Sequence, residues 1–172
     1  MAGDRDAGGR YAPRAAAVAD RARAEVATVA KALVLRIDAN LRRPGADGGT
    51  PIATGHASAN WVPSIGMPSR LEVEGTATGE HDAGVAAILA YELADGPLFV
   101  SNNVDYIQML NRGHSAQAEA GFVERAVEAA FDTVQAQFGT VDISAVRGAY
   151  RADLGAAAAT NLADAFNPFG GD

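Results

Sequence analysis

Cysteine is absent from the 172 residues, so the chain forms no disulfide and offers no thiolate to a metal. Lysine occurs once, at Lys31, and neither the phosphate-loop lysine motif nor G-x-G-x-x-G is present, which removes the common nucleotide-binding signatures. Aromatic residues amount to 6%, with one tryptophan, Trp61. Alanine supplies much of the 48% hydrophobic fraction, and its side chain buries little area. An isolated subunit is therefore expected to be modestly stable, which favours an oligomer. Long apolar runs are missing too. The longest, VAAILAYELA, contains a glutamate and is far shorter than the roughly 20 residues a bilayer requires. The opening MAGDRDAGGRYAPR has no apolar core of the kind a secretory signal needs. These features predict a soluble protein with no membrane partner.

Charge is unevenly distributed. Residues 1–43 hold nine Lys/Arg and five Asp/Glu, whereas residues 44–172 hold five and sixteen, giving the net charge of -7. Such asymmetry fits opposite ends of like chains meeting, a basic arm on an acidic partner, or simply a solvated helix face. The acidity argues against sequence-specific DNA binding, which relies on neutralising phosphates.

The patterning predicts an α+β fold: a small antiparallel sheet flanked by helices, with a long N-terminal helix and an extended C-terminal tail. Residues 1–13 read as a flexible arm ending at Pro13, residues 14–139 as the folded domain, and residues 140–172 as an extension. From Arg14 to Leu41, the residues Val18, Ala22, Val26, Val29, Leu33, Ile37 and Leu41 recur at helical spacing. Ala59 to Ile65 reads as a strand that Pro63 confines to an edge, and LEVEG alternates as a second strand would. A helix is expected over Asp82–Leu93, a buried strand in PLFVSN, a helical turn over Asp105–Asn111 and a long helix from Ala120 to Gly139. The stripe of that last helix is Val123, Val127, Ala130, Phe131, Val134 and Phe138. A short helix is expected over Arg151–Phe166.

The polar stretch NNVDYIQMLNRGHSAQAEAG, residues 102–121, is the natural place to look for chemistry. RGHSAQ resembles a nucleophile elbow only in part, because Gln117 replaces the second glycine and no strong strand precedes Gly113. Adjacent His114 and Ser115 side chains would diverge. His56, His81 and His114 are too widely spaced for a histidine metal motif. Glu80 and Asp82 suit the first turn of a helix, and Glu72 with Glu74 suits a solvated strand face. No catalytic, cofactor or metal residue is therefore assigned. Trp61 suits the core, Gly113 and Gly121 suit turns, and Asn102 and Asn103 suit backbone bonding at a strand exit.

Two segments carry a resemblance. TPIATGHASANW is similar to the T-P-V-D-T-G-R-x-R-x-S-W signature of tail-completion proteins from the neck of long-tailed bacteriophages. FVSNNVDYIQMLNRGHSAQAEAGFVERAV resembles that family's N-N-x-P-Y-x-x-x-L-E-x-G-x-S-x-Q-A-P-x-G run, matching at Asn102, Asn103, Tyr106, Leu110, Gly113, Ser115, Gln117, Ala118 and Gly121. Asp105, Asn111 and Glu119 replace its proline, glutamate and second proline, and Ile52-Ala53 replaces Val-Asp. The similarity spans roughly residues 14–139.

The resemblance implies a structural virion protein, not an enzyme, located at the head–tail junction and assembled in the host cytoplasm. It implies a homo-oligomeric ring, commonly a hexamer, between the head-side connector or stopper and the tail terminator or tail tube. Duplex DNA would pass through the channel. A tail terminator or head-completion ring is the nearest alternative, and a small serine hydrolase using His114 and Ser115 is a remote one. The residues expected at a subunit or neck interface, or holding its shape, are Trp61, Asn102, Asn103, Tyr106, Leu110, Gly113, Ser115, Gln117 and Gly121.

Overall fold

A computed structural model of the chain describes residues 7–139, 142–144, 146–148 and 150–152. The chain divides into two compact units after Val134. The first contains helix α1 (Ala7–Leu41), the single turn α2 (His56–Ala59), strand β1 (Val62–Ile65), helix α3 (Gly79–Ala90), strand β2 (Leu98–Ser101), the short helix α4 (Ile107–Asn111) and most of helix α5 (Phe122–Gln137). The expected α+β class is present, with β1 and β2 forming a two-stranded antiparallel sheet.

Helix α1 begins earlier than expected, so residues 7–13 of the anticipated arm are helical and Pro13 lies inside the helix. Proline lacks the N–H that would bond the carbonyl four residues back, a loss confined here to the second turn. The other end is fastened by Thr50, whose backbone N–H and hydroxyl both donate to the Leu41 carbonyl, at 3.0 and 2.6 Å. Pro44 follows closely and cannot prolong the helix.

The first strand is shorter than expected. Residues 56–59 form a helical turn, and the ladder starts at Val62, paired with Ser101, and runs to Ile65, paired with Leu98. Both strands are edges, so the missing N–H of Pro63 is tolerated. All four β2 residues are half-buried, where full burial was expected, because two short strands cannot enclose each other.

The LEVEG segment forms no strand. Side chains satisfy its backbone in place of a ladder. Asn60 Oδ1 accepts from Val73 N at 2.7 Å, and Asn60 Nδ2 donates to Val73 O at 3.1 Å. Asn103 Nδ2 donates to the carbonyls of Ser69 and Leu71. Helix α3 starts and stops about three residues before its expected limits. Tyr91 leaves it in extended conformation, and Glu92 with Asp95 closes a capping box around a 3-10 turn. Glu80 and Asp82 occupy the first turn of α3, where carboxylates meet the positive end of the helix dipole.

The core includes Leu41, Trp61, Phe122 and Ala126, against which Ile37, Val100, Ile107, Leu110, Ala118 and Val123 pack. Helix α5 buries Phe122, Ala126, Val127, Ala130, Phe131 and Val134, a stripe that overlaps the expected one. Val123 and Phe138 are only half-buried. Helix α3 lies against β1 closely enough that the backbone at Gly84 meets the Pro63 carbonyl.

In the second unit, Ser144 N donates to Asp142 Oδ1 at 2.8 Å, and Arg147 N donates to the Ile143 carbonyl at 3.0 Å. The serine contacts hold the Asp142 carboxyl below its ordinary pKa. Residues 151–152 are helical, and the remainder of the expected 151–166 helix lies outside the described residues.

Candidate interaction site

The segments that carry the two motifs, some fifty residues apart in sequence, converge on a shallow cleft of about 90 Å³. Pro51, Thr54 and Gly55 line it from one side, with Tyr106, Leu110, Ser115 and Gln117 from the other. Its foundation is Trp61, 6% exposed, whose indole N–H donates to Thr50 Oγ1 at 2.8 Å. Trp61 therefore belongs to the core, and its motif position supports the loop from beneath.

The polar side chains of the second segment are committed largely to backbone groups. Asn102 Nδ2 donates to the Ala57 carbonyl at 2.8 Å, while its Oδ1 accepts from Val104 N at 3.1 Å. Ser115 Oγ accepts from Gln117 N, forming a local turn. The His114 Nδ1–H donates to the Met109 carbonyl at 3.0 Å, so this ring nitrogen is engaged away from Ser115. Asn111, which departs from the family motif, starts α5. Its Oδ1 accepts from Val123 N at 3.0 Å and its Nδ2 donates to both carboxylate oxygens of Glu124. Gly113 and Gly121 both adopt positive φ, +89° and +77°, and bracket the exposed loop.

Among the residues expected at an interface, Gly113 and Gln117 are exposed and Tyr106 is 37% exposed, while Asn102, Leu110, Ser115 and Gly121 are half-buried. Asn103 is exposed and carries the 69–71 loop. The structure thus groups Tyr106, Leu110, Ser115 and Gln117 at one cleft and gives Trp61 and the two asparagines supporting roles.

Three further groups escaped the reading by motif. His56 has carbonyl and carboxylate acceptors at both ring nitrogens, with Gly75 O 3.0 Å from Nδ1 and Glu72 Oε1 3.0 Å from Nε2. The hydrogen bond to Glu72, helped by the Gly75 carbonyl, raises its pKa above the ordinary 6.5. Its ring lies 6.5 Å from that of Tyr106, linking the two motif segments. Arg42 reaches the carbonyls of Ser58 and Ala59, and Ser58 Oγ returns a bond to the Arg42 carbonyl. Asn60, fully buried beside Trp61, was the one legible signal, because an amide in an apolar run must be bonded.

Histidine 81 ties α3 to α1. Its Nε2 lies 2.9 Å from Asp38 Oδ2 and its Nδ1 lies 3.1 Å from Asp82 Oδ1. Asp38 is 5% exposed, its other oxygen is buried without a hydrogen-bond partner, and burial raises its pKa despite the neighbouring histidine. Asp82 is shifted the other way by His81 and Thr78. Among the described residues, no cluster of three or more histidine or carboxylate side chains could hold a metal, and no helix is long and apolar enough to cross a membrane.

No family model matches this chain, and comparison with curated proteins and with solved structures likewise finds no match.

Proposed function

We propose that this chain is a structural protein of a bacteriophage neck, assembling as a ring that joins the tail to the head and leaves a channel for DNA. The observation that carries this reading is the convergence of the two motif segments. Residues whose spacing resembles the tail-completion family form one surface, and their polar groups shape backbone. Hydrogen bonding of this kind fixes a contour, and a fixed contour suits docking because little ordering cost remains at the moment of contact.

The partners in this reading are further copies of the chain, the head-side connector or stopper, and the tail terminator or tail tube. Exposed amides such as Gln117 can bond backbone across a boundary without burying an unpaired charge. The acidic balance beyond residue 43 suits a lumen through which DNA slides, since carboxylates repel phosphates.

Labelling the chain in purified particles tests the reading. Label concentrated at the junction of capsid and tail is expected, and deletion of the gene should leave filled heads and complete tails unjoined. Joined, infectious particles that lack the chain would refute it.

A further inference from the structure

Two helical faces of this molecule are apolar and uncovered. In α1 the stripe Val18, Ala22, Val26, Val29, Leu33, Ile37, Leu41 is continuous, each four-residue step turning it by only about 40°. Its C-terminal part enters the core, with Val29 and Leu41 buried, but Val18 is 70% exposed and Val26 49%. Residues 13–26 are exposed throughout except Ala19, which is half-buried. The stripe thus runs on for two turns beyond the body that covers it.

The second face belongs to α3. After Asp82 this helix contains no charged or polar side chain, and only Ile88 is buried. Ala83, Ala86, Ala87 and Ala90 are exposed, Leu89 is 61% exposed, and Leu93 just beyond is 42% exposed. A helix apolar on every side belongs in an interior. Beside Leu93 an open groove of about 410 Å³ separates α1 from the turn after α3.

We propose that the N-terminal half of α1 from one copy covers the outer face of α3 on the next, with Val18, Ala22 and Val26 lying over Leu89 and Leu93. This deepens the ring reading and rests on it for the repetition of the contact around a closed set of copies. Charge selects the occupant. Glu80, Asp82, Glu92 and Asp95 stand at the two ends of the α3 patch, and of the nearby cations Lys31 is engaged with the Leu89 carbonyl at 3.4 Å while Arg23 and Lys31 line the groove beside Leu93. The uncovered residues 13–26 carry Arg14, Arg21 and Arg23 against Asp20 and Glu25, a balance of +1. Arg21 and Arg23 pair within their own helix to Glu25 and Asp20, but these pairs are exposed and therefore weak enough to exchange. A slightly basic apolar helix half and an apolar patch with acidic ends are complementary, whereas two α3 patches facing each other would repel. The two patches are different surfaces of one chain, so the contact is head-to-tail, the geometry from which rings are built.

The natural absence of cysteine makes the test direct. Full-length Val18→Cys and Leu89→Cys proteins, carrying tags of different size, are mixed at high micromolar concentration and mildly oxidised. Disulfide-linked pairs containing both tags are expected at least about tenfold above a Val18→Cys and Asp47→Cys control mixture. All three substitutions are at exposed positions, and circular dichroism checks that the variants fold. Absence of mixed pairs from folded proteins overturns the proposal. So does Val18→Cys linking mainly to itself, which would mean a symmetric helix pair. A Leu89→Cys thiol shielded from reagent in dilute monomer also overturns it, because the chain would then be covering its own patch. The outcomes separate from those of the neck reading. Mixed disulfides from a chain missing at head–tail junctions would end that reading alone, and a junctional chain without them would end this contact alone.

Discussion

The indole N–H of Trp61 donates to Thr50 Oγ1 at 2.8 Å, and the Thr50 hydroxyl in turn donates to the Leu41 carbonyl at 2.6 Å. One hydroxyl thereby connects the end of α1 to the residue beneath the candidate interaction cleft. Thr50 is fully buried, so nothing else can replace it. Thr50→Val keeps the volume but leaves the indole N–H unpaired, and the expected cost is about 1–3 kcal/mol. Denaturant unfolding followed by tryptophan fluorescence measures it. A midpoint unchanged from wild type would show that the chain of bonds contributes nothing.

The approach of α3 to β1 depends on a missing side chain. A Cβ at Gly84 would sit 2.2 Å from the Pro63 carbonyl oxygen, so helix and strand would have to part. Gly84→Ala should destabilise by about 1–3 kcal/mol, the range for overpacking. Gly113→Ala acts differently, through φ of +89° and a Cβ 3.1 Å from that of Ala120, and should cost about 1–2 kcal/mol. Gly79→Ala meets open space and serves as the control, expected within about 0.5 kcal/mol of wild type. Thermal melts of the three variants should follow that order.

The His56–Glu72 contact gives a pH dependence of known sign. Folding raises the pKa of His56 above its ordinary 6.5, so the pair's stabilisation is complete below that value and disappears as pH rises through the folded value. The pair is accessible to solvent, which keeps its contribution under about 1 kcal/mol. In NMR titrations His56 should titrate above 6.5 in the wild type and move toward it in Glu72→Gln. The stability difference between these proteins should be larger at pH 6 than at pH 9.

Asp38 has the opposite character to a usual surface carboxylate. Burial raises its pKa above 3.8, so the folded state binds the proton more tightly than the unfolded state. This contribution is favourable at low pH and is lost as pH rises through the folded value. Asp38→Asn removes the titration, so its stability relative to wild type should improve between pH 3 and pH 7. A difference independent of pH over that range would contradict the assignment.

Duplex DNA should bind weakly. With eleven more acidic than basic residues beyond position 43, a gel-shift titration at physiological salt is expected to show no tight complex. A retained complex that resists 150 mM salt would contradict a channel through which DNA slides.

Several elements were legible in the sequence because each is specified locally. The 3.6-residue recurrence marked α1 and α5, and the two glycines of positive φ marked the edges of the 113–121 loop. Alternation misled at residues 71–75, where the side chains of Asn60 and Asn103 supply the hydrogen bonds that a neighbouring strand was expected to supply. Pro13 misled in the other direction, since a proline near a helix end removes one bond without ending the helix. Composition also fixed the lack of thiols, the charge asymmetry and the apolar character of α3. Tertiary structure alone decided that Trp61 rests on Thr50, that His56 joins Glu72 and Gly75, that Asp38 is buried against His81, and that Val18 and Leu89 remain outside. The physical reason is range: helical periodicity and turn chemistry act over a few residues, whereas burial and pairing depend on which distant segments the folded chain brings together.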